Sequence, residues 1–130
     1  MGQAQQERRD FERVRGALTV HYKLESVSEL GVADEPLQGV TEDINPRGIL
    51  LRGSLPSLDL VVPLLTQKVL LTIEIVIPKP QTVIKALAAV RWVEEVEEEG
   101  NQCAMGLHFN EIGADDRQKL FEFLVWQRQS

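Results

Sequence analysis

Residues Val69 to Pro78 read VLLTIEIVIP. Successive side chains of an extended chain point to opposite faces. Val69, Leu71, Ile73, Ile75 and Ile77 therefore share one face, and Leu70, Thr72, Glu74 and Val76 the other. β-Branched residues dominate, Pro78 and Pro80 end the run, and the spacing predicts the clearest strand of the chain. The same period of two recurs on both sides. Leu18, Val20, Tyr22 and Leu24 alternate with Thr19, His21 and Lys23. Ile84, Ala86, Ala88, Val90 and Trp92 keep the period, and Cys103, Met105, Leu107 and Phe109 share a face of a last strand. Gln38–Ile44 predicts a second strand, and Gly48–Leu51 begins a third. Residues 25–36 read as a connection, and 53–66, with two prolines, as a loop over the surface. The acidic run Glu94–Asn101 reads as a solvated hairpin tip.

After Gly113 the period becomes helical. Asp115 and Asp116 supply negative charge where a helix N-terminus favours it, and Leu120, Phe121, Leu124 and Val125 follow, with Arg128 in the last turn. About six strands and one terminal helix give a mainly β fold, an antiparallel barrel with a helix packed on it. The lack of βαβ alternation argues against a doubly wound sheet. Residues 1–7 read as a flexible polar segment and 8–130 as a single domain.

Composition narrows the function. A chain of 130 residues, 43% hydrophobic and 26% charged, is a globular domain with an adequate core. Its net charge of -6 opposes non-specific nucleic-acid binding, which needs a basic face. No apolar run reaches the roughly 18 residues of a membrane span, and MGQAQQERR lacks a signal-peptide core, so a cytoplasmic protein is expected. Cys103 is alone and reads as a small buried hydrophobe, and two histidines are too few to suggest zinc. No phosphate loop or nucleophile elbow is present, so the chain is not expected to be an enzyme.

Two stretches stand out. Glu7–Arg15, ERRDFERVR, places four arginines in an acidic protein, with Arg9 and Arg13 four apart. The rigid guanidinium fork donates two parallel hydrogen bonds, to guanine O6 and N7 or to a phosphate. An ion-paired helical turn would explain the spacing as well. Asp43-Ile44-Asn45-Pro46-Arg47-Gly48 has Asn, Pro and Gly where a type I turn wants them, which leaves Asp43 unexplained. A carboxylate accepts hydrogen bonds only, and guanine offers N1–H and its N2 amino group side by side.

RxxxR in RDFER, and about thirty residues later DINPRG as a DxNxxG variant of (D/N)xSxxG, resemble the PilZ domain. Phe11 and Val14, Val90 and Trp92 in AAVRWV, and Gly106-Leu107-His108-Phe109 are similar to further habits of that family. The resemblance covers residues 7 to about 127. It implies a six-stranded antiparallel β-barrel with a C-terminal α-helix and a bacterial receptor for cyclic di-GMP, without a further cofactor. By the same resemblance Arg9 and Arg13 contact guanines and phosphates, with Arg8 as a further phosphate contact. Asp43 and Asn45 hold a guanine edge, and Gly48 permits the turn. An ordered arm would then signal to an effector protein, from a monomer or a homodimer. Asn45 at the usual serine position, and the apolar stretch Leu58–Leu65, keep a second reading open: an interaction module that does not bind the nucleotide.

Overall fold

The structure, a computed structural model, describes residues 18–26, 36–78 and 81–129. In chain order these form β1 (Leu18–Ser26), β2 (Leu37–Asn45), β3 (Gly48–Ser54), a 3-10 turn (Leu58–Leu60), α1 (Val61–Leu65), β4 (Val69–Pro78), β5 (Gln81–Glu97), a second 3-10 turn (Glu99–Asn101), β6 (Gln102–Ile112) and α2 (Ala114–Gln129). The strands join in the order β1-β2-β3-β6-β5-β4 and close into a barrel with every neighbouring pair antiparallel. Among the described strands, closure leaves no edge open to pair with another chain.

The alternation in VLLTIEIVIP carries the core. Val69, Leu71, Ile73, Ile75 and Ile77 are buried. They meet β1 in register, Val20 opposite Ile75, Tyr22 opposite Ile73 and Leu24 opposite Leu71. The Tyr22 hydroxyl crosses the interior and donates to the Ser54 carbonyl at 2.5 Å. Gly53 makes room for it, since a Cβ there would lie 2.3 Å from the tyrosine oxygen. Burial pushes the Tyr22 pKa up, which keeps the proton on the donating oxygen.

Residues 53–66 are not a surface loop. Gly53 and Ser54 finish β3, the Ser57 hydroxyl accepts from the Asp59 N–H at 3.1 Å, and α1 follows. Leu64 is fully buried, and Leu60 and Val61 pack on the core, so the segment plugs one end of the barrel. Pro63 is compatible with α1 because it stands in the first turn, where backbone N–H groups have no intrahelical partner. The acidic run is likewise more ordered than a tip. β5 continues through it to Glu97, paired with Gln102, and the reversal is confined to Glu98–Asn101 around Gly100 at φ 78°.

The helix packs on a different stripe from the one expected. Leu120, Phe123 and Leu124 are buried, whereas Phe121 and Val125 are exposed. The Asp116 carboxylate accepts from the Lys85 N–H at 3.2 Å, and Lys119 Nζ donates to the Val83 carbonyl at 3.5 Å. These two bonds lay α2 along the start of β5. That orientation turns Phe123 inward and Phe121 outward.

Candidate functional site

The β2–β3 hairpin builds the first wall of the site. Thr41 pairs with Leu51 and Asp43 with Leu50, so the register slips by one residue between them. Thr41 and Ile44 are both fully buried, although they stand three apart. The bulge thus turns Asp43 away from the interior and places it on the outer face with Asn45, a common use of bulges near functional sites. The Thr41 hydroxyl donates to the Asp43 carbonyl at 2.7 Å and holds the bulge in shape.

Asn45 makes the turn. Its Oδ1 accepts from the Arg47 N–H at 2.8 Å and from the Gly48 N–H at 3.1 Å. This is the local bonding for which Asn is favoured in turns. The side-chain oxygen is therefore committed to the hairpin, and Nδ2 is the part of the amide that a ligand can use. The Arg47 carbonyl accepts from the Phe109 N–H at 2.8 Å, which pins the turn to β6 and leaves the exposed Arg47 side chain outside. Gly48 is buried against β6. A Cβ there would sit 1.8 Å from the Leu107 carbonyl oxygen. Close approach of two backbones, not a left-handed angle, is what demands glycine here: among the described residues Gly100 is the glycine with positive φ.

β5 and β6 build the second wall. Val90 pairs with Leu107 and Trp92 with Gly106, so Arg91 is an extra residue, a second bulge. The expected run of inward residues through Trp92 is broken there. Val90 is fully buried, Arg91 and Trp92 are both exposed, and Val93 packs on the core. Trp92 lies over Gly106, where a Cβ would fall 2.2 Å from the indole carbons. An aromatic ring covering a strand glycine shields backbone that no side chain protects. His108 stands on the same outer face, paired with Gly48 on one side and Ala89 on the other.

Together these elements enclose an open groove of about 860 Å³, lined by Asp43, Asn45 and Arg47 from the hairpin, Arg91 and Trp92 from β5 and His108 from β6. Asp43, Asn45 and Gly48 are thus brought together as a group. Arg8, Arg9 and Arg13, and the segment 1–7 read as flexible, lie outside the described residues. Arg91 and His108 carry no binding signal in the sequence, and Trp92 stands there in one period-two run with Val90. The glycine of GLHF opposite the tryptophan of AAVRWV is the sequence signal that pairs them. Another hollow, of about 990 Å³, lies between β1, β4, β5 and the start of α2, and Asp43, Asn45 and Gly48 are not among its lining.

Burial raises the pKa of the Cys103 thiol, so the sulfur is a poor nucleophile. Among the described residues no three His, Cys, Asp or Glu side chains cluster to hold a metal, and no helix is long and apolar enough to cross a membrane.

The groove offers an aromatic floor, a carboxylate and two arginines, which suits a planar base attached to an anion. Gly106→Ala is expected to leave the barrel folded, because the ring in its way belongs to a half-exposed side chain that can swing aside. The displaced indole should shift the tryptophan emission relative to the parent protein, with the melting temperature lowered by only a few degrees. An unaltered emission spectrum would show that Trp92 does not rest on this glycine.

The model of the PilZ domain matches residues 7–126. Among solved structures, the chain is similar to the inhibitor of motility MotI/DgrA of Bacillus subtilis, with 19% identity and a TM-score of 0.61 over 90% of this chain and 49% of that one. It is also similar to the PilZ domain of CeSA from a cellulose-synthesizing bacterium, with 12% identity and a TM-score of 0.49 over 88% of this chain and 95% of that one. The likeness to MotI/DgrA is one of fold, and the chain spans about half of that protein's length. None of the curated proteins matches. The match over nearly the whole chain, on a closed six-stranded barrel with a terminal helix, places this protein in the PilZ domain family.

Proposed function

We propose that the chain is a receptor for cyclic di-GMP and works by binding, not by catalysis. The observation that carries this reading is the bulged hairpin, which sets Asp43 and the Asn45 amide side by side on the wall of a groove floored by Trp92. An ionised Asp43 would accept from guanine N1–H and N2 together. The indole of Trp92 would stack on the purine, a contact worth about 1–3 kcal/mol per base. Arg9 and Arg13, with Arg8, would close from the other side on O6, N7 and the phosphates. A local cluster of guanidinium groups serves a dianionic ligand whatever the net charge of the whole protein.

Closure of residues 1–15 over the groove would convert binding into a changed surface for an effector protein. The reading places the receptor in the cytoplasm, as a monomer or a homodimer. Calorimetric titration with cyclic di-GMP, with GTP as the control, tests it. Saturable heat with micromolar cyclic di-GMP and none with GTP is the expected result. A folded protein that gives no heat with either would end the proposal.

A second reading has one observation in its favour. α1 exposes Val62 to 66% and also exposes Leu65 at the plugged end of the barrel, an apolar point where a partner could sit without any nucleotide. Under this reading Val62→Glu abolishes partner capture while cyclic di-GMP has no effect on it.

A further inference from the structure

The bulge in β5 does more than expose Trp92. It puts two consecutive residues, Arg91 and Trp92, on the same outer face, which a regular strand cannot do. The pairing of His108 with Gly48 and with Ala89 places β6 between the hairpin turn and this part of β5. Neighbouring strands are about 4.8 Å apart, so the turn that carries Arg47 and the strand that carries Arg91 are separated by roughly 10 Å. Two extended arginine side chains can meet a single small anion across that gap.

The charges on this wall are not symmetrical. Arg52, further along β3, forms an ion pair with Glu95. Among the described residues neither Arg47 nor Arg91 has an acidic group within ion-pair distance, although Asp43 and Glu94 also line the groove. A guanidinium beside a stacking ring is placed to hold the phosphate attached to the base that the ring holds.

We propose that Arg91, displaced onto the groove wall by the β5 bulge and set across β6 from Arg47, binds a phosphodiester of the dinucleotide, so that the barrel itself carries part of the anion-binding site. This rests on the reading of the chain as a cyclic di-GMP receptor.

The test is calorimetry on the full chain, at several salt concentrations, with the parent protein, Arg91→Ala, Arg91→Lys and Arg47→Ala. Arg91→Ala should melt with the parent protein and bind cyclic di-GMP about tenfold more weakly, with a shallower salt dependence because one charge–charge contact is gone. Arg91→Lys should keep the parent salt dependence but lose affinity, since an ammonium cannot bridge two phosphate oxygens as a fork does. Arg47→Ala should weaken binding in the same direction. If the parent protein binds and Arg91→Ala binds within twofold of it with the same salt dependence, the assignment of Arg91 is wrong and the receptor reading stands. If the parent protein does not bind, both fall.

Discussion

Gly48→Ala is expected to destabilise the domain by about 3 kcal/mol or more, a large fraction of the ~5–15 kcal/mol that holds a domain of this size together. The added Cβ would fall 1.8 Å from the carbonyl oxygen of Leu107 and 2.9 Å from its carbon. Both collision partners are backbone, locked in adjacent strands of a closed barrel, so no side chain can rotate away. Relief requires β3 and β6 to part at this level. That also breaks the bond from the Phe109 N–H to the Arg47 carbonyl, which anchors the turn. A thermal melt followed by circular dichroism should show a fall of roughly 10 °C or more. Gly113→Ala is the control: the nearest atom to its added Cβ is the Asp116 carboxylate at 3.8 Å, an ordinary contact. A Gly48→Ala protein that melts within 2 °C of the parent would mean that the strands are not this close.

Loss of the arm arginines is the second large effect, and it falls on binding, not on stability. Each bidentate guanidinium contact contributes about 1–3 kcal/mol, so Arg9→Ala and Arg13→Ala should each weaken cyclic di-GMP binding at least about tenfold. If the two contact separate parts of the ligand their effects add, and the double variant should be weaker by about a hundredfold or more. The melting temperature without ligand should stay with the parent protein, while the stabilisation produced by ligand should disappear. Binding within threefold of the parent in the double variant would remove the arm from the site. Gly48→Ala and the arm variants therefore separate the two halves of the reading. The first tests the wall that the structure describes, and the second tests the residues that the resemblance supplies.

The sequence was most legible where strands run without interruption. β1 and β4 alternate from end to end, and every inward residue assigned to them is buried. Misreading began at the bulges. A bulge is defined by what the neighbouring strand does, and nothing local to Glu42 or Arg91 announces one. Trp92 therefore reads as the next member of the Val90 run, although it lies on the other face. The helix α1 was not expected, because prolines count against helices in general, although Pro63 sits where a helix tolerates it. On α2 the amphipathic pattern admits more than one stripe, and only the bonds to Lys85 and Val83 select the stripe with Phe123.

The site divides in the same way. Asp43, Asn45 and Gly48 are within six residues and obey turn chemistry that can be read locally. Arg91, Trp92 and His108 join them only after β6 has come to lie between β3 and β5, a long-range pairing that periodicity does not encode.

The extra residue in β5 has a consequence for how such a protein can change. Upstream of Arg91 the even-numbered positions Ile84, Ala86, Ala88 and Val90 fill the interior, and downstream the odd-numbered Val93 does. Were β5 regular through this point with every residue kept, inside and outside would exchange along the rest of the strand, driving an indole into the barrel and a valine into solvent. With the extra residue in place, the outward positions can be varied for a new ligand while the interior set remains untouched. Recognition and folding are thereby written in separate registers on one strand.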